Sequence, residues 1–391
     1  MRFVVLIAAI LMQLCLGATY AWSVFVGPLQ ASSGLPLGTI QIPFTLFYIV
    51  FPATVIFSGR FITRFGPHRC AAAGGILFGA GWLVAGFGQG FFPLTILGIG
   101  VLGGMGVGLA YVAPIATCIQ WFPRNQGLVT GIAVAGFGGG AALVTQAATL
   151  MMHHFGTGPF AAFRMLGLTF LVLIPAAGMC MRPPPTPTET RNGDSPQSAH
   201  GAPRLFLALY LAMFAGLAAG FMVNANLKQL FPIGDARAVG LAVSLFALAN
   251  ALGRITWGAL FDKAKSGLPI QANLFLQALV LAGFLLTGAN ATAFYSLAFL
   301  AGFNYGGVLV LYAASVARLW GPEHVPKVYG RLFSANIAAA AAPALAGYAY
   351  DVQGAFTLPI AIITILLCTG AAITYTQSNP QLSQAFKTNG G

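Results

Sequence analysis

The sequence predicts an all-α membrane protein of twelve transmembrane helices, arranged as two pseudo-symmetric six-helix bundles. Three observations lead there. First, of 391 residues, 58% are hydrophobic and only 6% charged, against about 25% charged in a soluble globular domain. So few charges cannot cover a water-facing surface of this size, and lipid is the natural solvent. Second, apolar stretches of spanning length recur along the whole chain. Third, the second half repeats the first at a fixed offset.

A spanning helix needs about 20 apolar residues. Helices 1 to 6 are predicted near 3–27, 39–58, 70–88, 94–120, 128–152 and 161–181. Helices 7 to 12 are predicted near 204–225, 238–261, 269–288, 291–318, 329–350 and 356–376. Only Arg2 precedes the first stretch, no A-x-A-type cleavage site follows it cleanly, and many similar segments come after. It reads as a retained helix rather than a signal peptide. The break RPPPTPTETRNGDSPQSAHGAP is rich in Pro, Ser, Thr and Gly and cannot form a packed core. Residues 1–181 are therefore an N-terminal six-helix bundle and 182–203 a linker. Residues 204–391 are a C-terminal six-helix bundle with a short tail after about Gln377.

Charge sets the orientation. With the N-terminus inside, fourteen Lys and Arg residues fall on the cytoplasmic side; Arg164, Lys228 and Arg237 fall outside. That bias predicts cytoplasmic termini and a cytoplasmic linker; the location expected for the chain is a bacterial inner membrane. The net charge of +12 is spread singly through the gaps, with no Lys/Arg run, which excludes a nucleic-acid partner. Cys15, Cys70, Cys118, Cys180 and Cys368 form no C-x-x-C pair, so neither a disulfide framework nor a zinc site is expected. His153 and His154 are adjacent and point to different sides of a helix, which serves one metal poorly. Asn290-Ala-Thr292 fits a glycosylation sequon and carries little weight here. No metal or cofactor is expected. Gly98-Ile-Gly100-Val-Leu-Gly103 matches a dinucleotide-binding pattern and Gly136-Phe-Gly138-Gly-Gly-Ala141 nearly does. Both lie inside apolar spans with no strand before them. Gly100, Gly104 and Gly108 share one helix face, a pattern for close helix packing.

At an offset of 199 residues, Gly17 matches Gly216, Gly59 matches Gly258, Trp121 matches Trp320, and Pro123 matches Pro322. Matches at equivalent topological positions argue for internal duplication. The loop after helix 2 reads Gly59-Arg-Phe-Ile-Thr63-Arg64-Phe-Gly66-Pro-His68-Arg69. It resembles the G-x-x-x-D-R-x-G-x-R-R signature of the major facilitator superfamily. Gly258-Ala-Leu-Phe-Asp262-Lys263 is a second copy in register. Parallel six-helix repeats are the architecture that resemblance implies. Gly59, Arg64, Gly66, Arg69, Gly258, Asp262 and Lys263 are expected to latch neighbouring helices on the cytoplasmic side. In the first copy Thr63 replaces the acid and His68 one cation, which weakens the charge latch of that half.

Arg254 stands inside helix 8, two turns before Asp262 and about 12 Å from the helix end. A charge at that depth costs at least about 2.5 kcal/mol and is normally paired or functional. Glu189, Asp194, Asp235, Asp262, Glu323 and Asp351 all fall in or beside predicted loops. A bound carboxylate would be met by the guanidinium in a bidentate fork. The structural alternative is an arginine bonded to backbone carbonyls. Tyr20, Tyr111, Asn250, Asn304, Tyr305 and Asn336 sit at mid-span on helices 1, 4, 8, 10 and 11. They suit a small carboxylate or hydroxyl. Each also fits interhelical hydrogen bonding.

Leu16-Gly-Ala-Thr-Tyr-Ala-Trp-Ser-Val-Phe25, Gly106-Val-Gly-Leu-Ala-Tyr111 and Trp121-Phe-Pro-Arg-Asn-Gln-Gly127 resemble the oxalate/formate antiporter family. Gly253-Arg254 on helix 8 is similar to that family and to the related monocarboxylate transporters. The resemblance implies a transporter, not an enzyme, that carries small carboxylates by alternating access. It also implies an anion site using the helix 8 arginine. The chain lacks HExxH and G-x-S-x-G patterns, in keeping with that. Two departures refine it. Oxalate carriers of this family are expected to hold a second cation, a lysine in helix 11, yet 332–350 contains no Lys or Arg. Proton-coupled relatives place an aspartate four residues before the arginine, where this chain has Asn250. A small monocarboxylate such as lactate, pyruvate or formate is therefore expected, moving with a proton carried by the substrate itself. Anion exchange is the alternative, and drug export a more distant one.

Overall fold

The computed structural model describes residues 1–185, 202–230, 236–264, 266–287 and 290–377. The linker from 186 to 201 and the tail after 377 lie outside them. In lipid each backbone polar group must be satisfied within its own segment, so the apolar stretches form helices. Among the described residues, ten helices are long and apolar enough to cross a membrane. Two shorter or less apolar ones, Pro67–Ala85 and Leu268–Phe284, complete the twelve predicted from the sequence. Helix 1 begins at Arg2, and helices 2, 4, 5 and 6 are Leu37–Phe65, Pro93–Trp121, Gln126–Met152 and Pro159–Gly178. Helices 7, 8 and 10 are Ala202–Ala225, Ala236–Lys263 and Ala291–Trp320. Helix 11 is Pro322–Gln353 and helix 12 Thr357–Gln377.

Three spans expected to be continuous are interrupted. Helix 1 tightens into a 3-10 turn at Gly17–Ala21 before resuming over Ser23–Ser33. Helix 4 widens to a π-helix over Ile96–Gly103. Helix 11 breaks after Val325–Leu332 and again before Ala342–Gln353. At the first break Ser334 Oγ donates to Arg331 O at 2.7 Å, a local bond that competes with the helix ladder. At the second, Pro343 has no N–H to continue it.

The described residues cluster into two compact units. The first comprises those of Met1–Pro123, Ile132–Thr188 and Val325–Ser334; the second those of Arg124–Gly131, Glu189–His324 and Ala335–Gly391. Within the first, a Cβ on Gly100, Gly104 or Gly108 would press on Leu46, Val50 or Thr54. Helix 4 thus lies against helix 2 along the glycine face read from the sequence. Gly140 meets Leu14 O and Gly17 meets Phe137 O, which brings helices 1 and 5 to backbone contact. Within the second unit, helices 8 and 10 touch through Gly253 on Phe303 O, Gly302 on Phe246 O and Gly306 on Asn250 O. Without hydrophobic drive between helices in lipid, such small-residue contacts and hydrogen bonds hold them together.

The repeat appears in these contacts. Gly59 packs on Pro326 O in the first unit, and Gly258 on Gly127 O in the second. Both partners are related by the same 199-residue offset. The opening turns of helix 11 thus pack on helix 2, and those of helix 5 on helix 8.

Gly253→Ala places a methyl group onto Phe303 O, whereas Gly138 has open space around it. Overpacking costs about 1–3 kcal/mol. Thermal melting of the purified protein in detergent should show a clear drop for Gly253→Ala and little change for Gly138→Ala.

Candidate functional site

The second unit holds the candidate cation. Arg254 is only 4% exposed, and its Nε–H donates to Asn250 Oδ1 at 3.0 Å. The bond follows from helical spacing, since residues four apart share a face. Asn250 is itself buried, and its Nδ2 has no partner among the described residues. A Cβ on Gly306 would come 3.1 Å from Arg254 N, so helix 10 lies against this turn of helix 8. A Cβ on Gly131 would overlap Arg254 O. The arginine backbone thus meets a glycine from helix 10 and one from helix 5, and its head is oriented by an amide one turn earlier.

Tyr305 directly precedes Gly306. Its ring packs between Phe221 at 5.8 Å and Phe246 at 6.0 Å and stays partly exposed. Asn304 is 2% exposed. Its backbone carbonyl accepts from Asn273 Nδ2 at 2.9 Å, and Gln277 Nε2 donates to Asn273 Oδ1 at 2.9 Å. That amide ladder ties helix 9 to helix 10. The Asn304 side-chain oxygen has no partner among the described residues. Helix 10 therefore meets the Asn250–Arg254 turn through Gly306, while the Tyr305 ring lies beside Phe246, one turn before Asn250, and the Asn304 carbonyl is engaged by helix 9. Asn336 lies on the short helix Ala335–Ala339, which packs on helix 7.

In the first unit the tyrosines join an aromatic cluster. Tyr111 is 1% exposed, with ring centroids 5.5 Å from Phe51, 5.4 Å from Phe137 and 5.3 Å from Phe333. Tyr20 sits in the 3-10 turn of helix 1, stacked on Tyr48 at 5.9 Å and edge-on to Phe137 at 5.0 Å. Phe137 thus links the two predicted tyrosines. Phe333, at the first break of helix 11, and Tyr48 are cluster members that sequence reasoning missed. Gln13 is another: fully buried in helix 1, it donates to Tyr111 O at 3.4 Å. An uncharged polar residue in an apolar stretch was its one signal.

The two signature copies differ in structure as they do in sequence. Asp262 Oδ1 accepts from Gly127 N at 2.8 Å and Oδ2 from Leu128 N at 2.7 Å. The carboxylate caps two of the first N–H groups of helix 5, where the helix dipole favours negative charge. Thr63, its counterpart, donates to Gly59 O and Arg60 O of its own helix. Pro326, at the position equivalent to Gly127, has no N–H. Gly66 takes φ +85° between helices 2 and 3, a conformation glycine adopts without steric cost. Arg64 lies 5.3 Å from the Phe65 ring, and Arg69 and Lys263 are exposed. A residue counted in the sequence only for its charge does more. Arg318 at the end of helix 10 donates to Ala264 O and Phe261 O at 3.0 and 2.9 Å. Its guanidinium also lies 3.9 Å from the Phe261 ring centroid. It caps the carbonyl end of helix 8 beside Asp262.

Known proteins agree with this architecture. The oxalate:formate antiporter of Oxalobacter formigenes is 27% identical over 355 residues, covering 86% of this chain and 82% of its own. Human monocarboxylate transporter 11 is 26% identical over 342 residues, covering 80% and 69%. The solved structure of the proton:xylose symporter XylE superposes with a TM-score of 0.72 at 14% identity, covering 98% of this chain and 99% of its own. The sequence profile of the Major Facilitator Superfamily matches residues 5–331 and 211–388. The chain is a multi-pass membrane transporter and belongs to that superfamily.

Proposed function

We propose that this protein is a secondary active carrier of small monocarboxylate anions of the lactate, pyruvate or formate type. It works by alternating access in a bacterial inner membrane, with both termini cytoplasmic. One observation carries the reading: a guanidinium 4% exposed on an apolar helix, oriented by Asn250. Burying that charge is costly, and a carboxylate offsets the cost best because its two oxygens match the guanidinium fork. Asn250 Nδ2 adds a donor beside it, and Tyr305 on helix 10 is assigned to the wall of the same path. The antiporter and monocarboxylate relatives support carboxylate cargo. One cation suits one negative charge, and helix 11 carries no Lys or Arg from 332 to 353.

Asn250 cannot carry a proton as an aspartate there could. Asp262, the next acid along helix 8, has both oxygens engaged by helix 5. The proton therefore travels on the substrate carboxylate, whose pKa rises as the site loses water. Anion exchange is the second reading, favoured by the 27% identity to an antiporter. In either cycle, parting the opening turn of helix 5 from helix 8 must break the Asp262 cap; Gly258 and Lys263 are assigned with it to the latch of the second unit, and Gly59, Arg64, Gly66 and Arg69 to that of the first.

Labelled L-lactate uptake into proteoliposomes tests the reading. Hydrogen bonds to charged groups contribute about 1.5–3 kcal/mol, so Arg254→Gln should weaken apparent affinity at least about tenfold. Arg254→Lys should not restore it, because an ammonium lacks the fork. Unchanged affinity in Arg254→Gln would sink the anion-site assignment. In the same vesicles an inward proton gradient should drive accumulation. Rapid uptake only into lactate-loaded vesicles, indifferent to the gradient, would establish exchange instead. Asp262→Asn leaves one amide oxygen for two N–H groups of helix 5, and the N–H left without an acceptor costs about 1–3 kcal/mol. The substitution should change maximal rate several-fold while leaving lactate affinity nearly as it was.

A further inference from the structure

Tyr305 owes its position to the absence of a side chain on helix 7. Gly220 lies directly under its ring: a Cβ there would overlap the ring at Cγ and Cδ2 and approach Cε2 to 2.8 Å. These are ring atoms close to the backbone, so rotating a flexible chain end does not relieve the overlap. Phe221 and Phe246 flank the ring and restrict sideways escape. Its helix is pinned at the next residue, where Gly306 meets Asn250 O and Arg254 N. The ring can therefore yield to a side chain at position 220 only by moving away from helix 7. A narrow cavity beside this helix is lined by Gly220, Ala219 and Ala301 together with Val223, Val280, Leu281 and Gln277.

We propose that Gly220 sets the size of acid the carrier accepts, by letting the Tyr305 ring retract against helix 7. This rests on the monocarboxylate reading above, in which Tyr305 lines the substrate's path beside Arg254. With glycine at 220, the space beyond the carboxylate takes a three-carbon acid. With any larger residue, the displaced ring occupies the volume of the second and third carbons, and only a one-carbon acid fits. Arg254 and Asn250 grip the carboxylate in both cases, so the carboxylate requirement stays while chain-length preference moves.

The test compares uptake of labelled formate, L-lactate and 2-hydroxybutyrate by the full-length protein in proteoliposomes. A methylene's fit in an apolar pocket is worth about 10- to 200-fold. Gly220→Ala should therefore lower the lactate-to-formate uptake ratio by about tenfold or more. Gly220→Ala/Tyr305→Ala, which removes the displaced ring, should restore it. Tyr305→Ala alone adds no atom and so creates no overlap; it should raise 2-hydroxybutyrate uptake relative to formate. This arm decides the matter even if Gly220→Ala fails to fold. An unchanged lactate-to-formate ratio in folded Gly220→Ala, or an unchanged chain-length profile in Tyr305→Ala, overturns the assignment of Gly220 while leaving the carrier reading in place. Failure of the wild type to transport any of the three acids overturns both.

Discussion

Helices 8 and 10 approach until their backbones touch, and the chemistry of the second unit depends on that contact. Gly253 admits Phe303 O, Gly302 admits Phe246 O and Gly306 admits Asn250 O. In lipid, apolar side chains gain little by leaving their surroundings for one another. Close approach must be earned by dispersion between backbones and by hydrogen bonds. Three glycines on two helices supply it. The contact seats Gly306 on the Asn250–Arg254 turn and holds that turn still, so that a guanidinium can be kept in one orientation inside an apolar helix.

The repeat keeps this scaffold in both halves but places the charge in one. At the 199-residue offset, Arg254 corresponds to Val55 and Asn250 to Phe51. Both counterparts are buried, and Phe51 packs on Tyr111, Phe137 and Phe333. Where the second unit carries a cation and an amide, the first carries an aromatic cluster. A second buried cation would add a second desolvation cost. The helix ends show the same division. Asp262 caps helix 5 with two charge-assisted bonds, while Thr63 carries no charge and bonds within its own helix, and Pro326, at the position equivalent to Gly127, has no N–H.

Charges that are not costly gather where helices end. Arg318 serves the last carbonyls of helix 8, and Asp262 the first N–H groups of helix 5. These groups are the orphans that any helix leaves. Satisfying them with side chains from a neighbouring helix joins helices without placing charge in the middle of the membrane. Arg254 is the exception, and its helix is built around it.

How much of this could be read beforehand follows from the range of each interaction. The twelve spans, the repeat, the arginine inside helix 8 and the difference between Asp262 and Thr63 were all legible. Hydropathy, residue spacing and charge are properties of a local stretch. The Asn250–Arg254 bond was nearly so, because four residues make one helical turn. Where helices 1, 4 and 11 depart from regular geometry was not legible, nor that Phe333 joins Tyr111, that Arg318 caps helix 8, or that Gly220 lies under Tyr305. Those depend on how far each helix is rotated about its axis and which neighbour it meets. The sequence by itself determined what each helix carries. Only tertiary packing decided what each carried group touches, because that is set by contacts between residues tens to hundreds of positions apart.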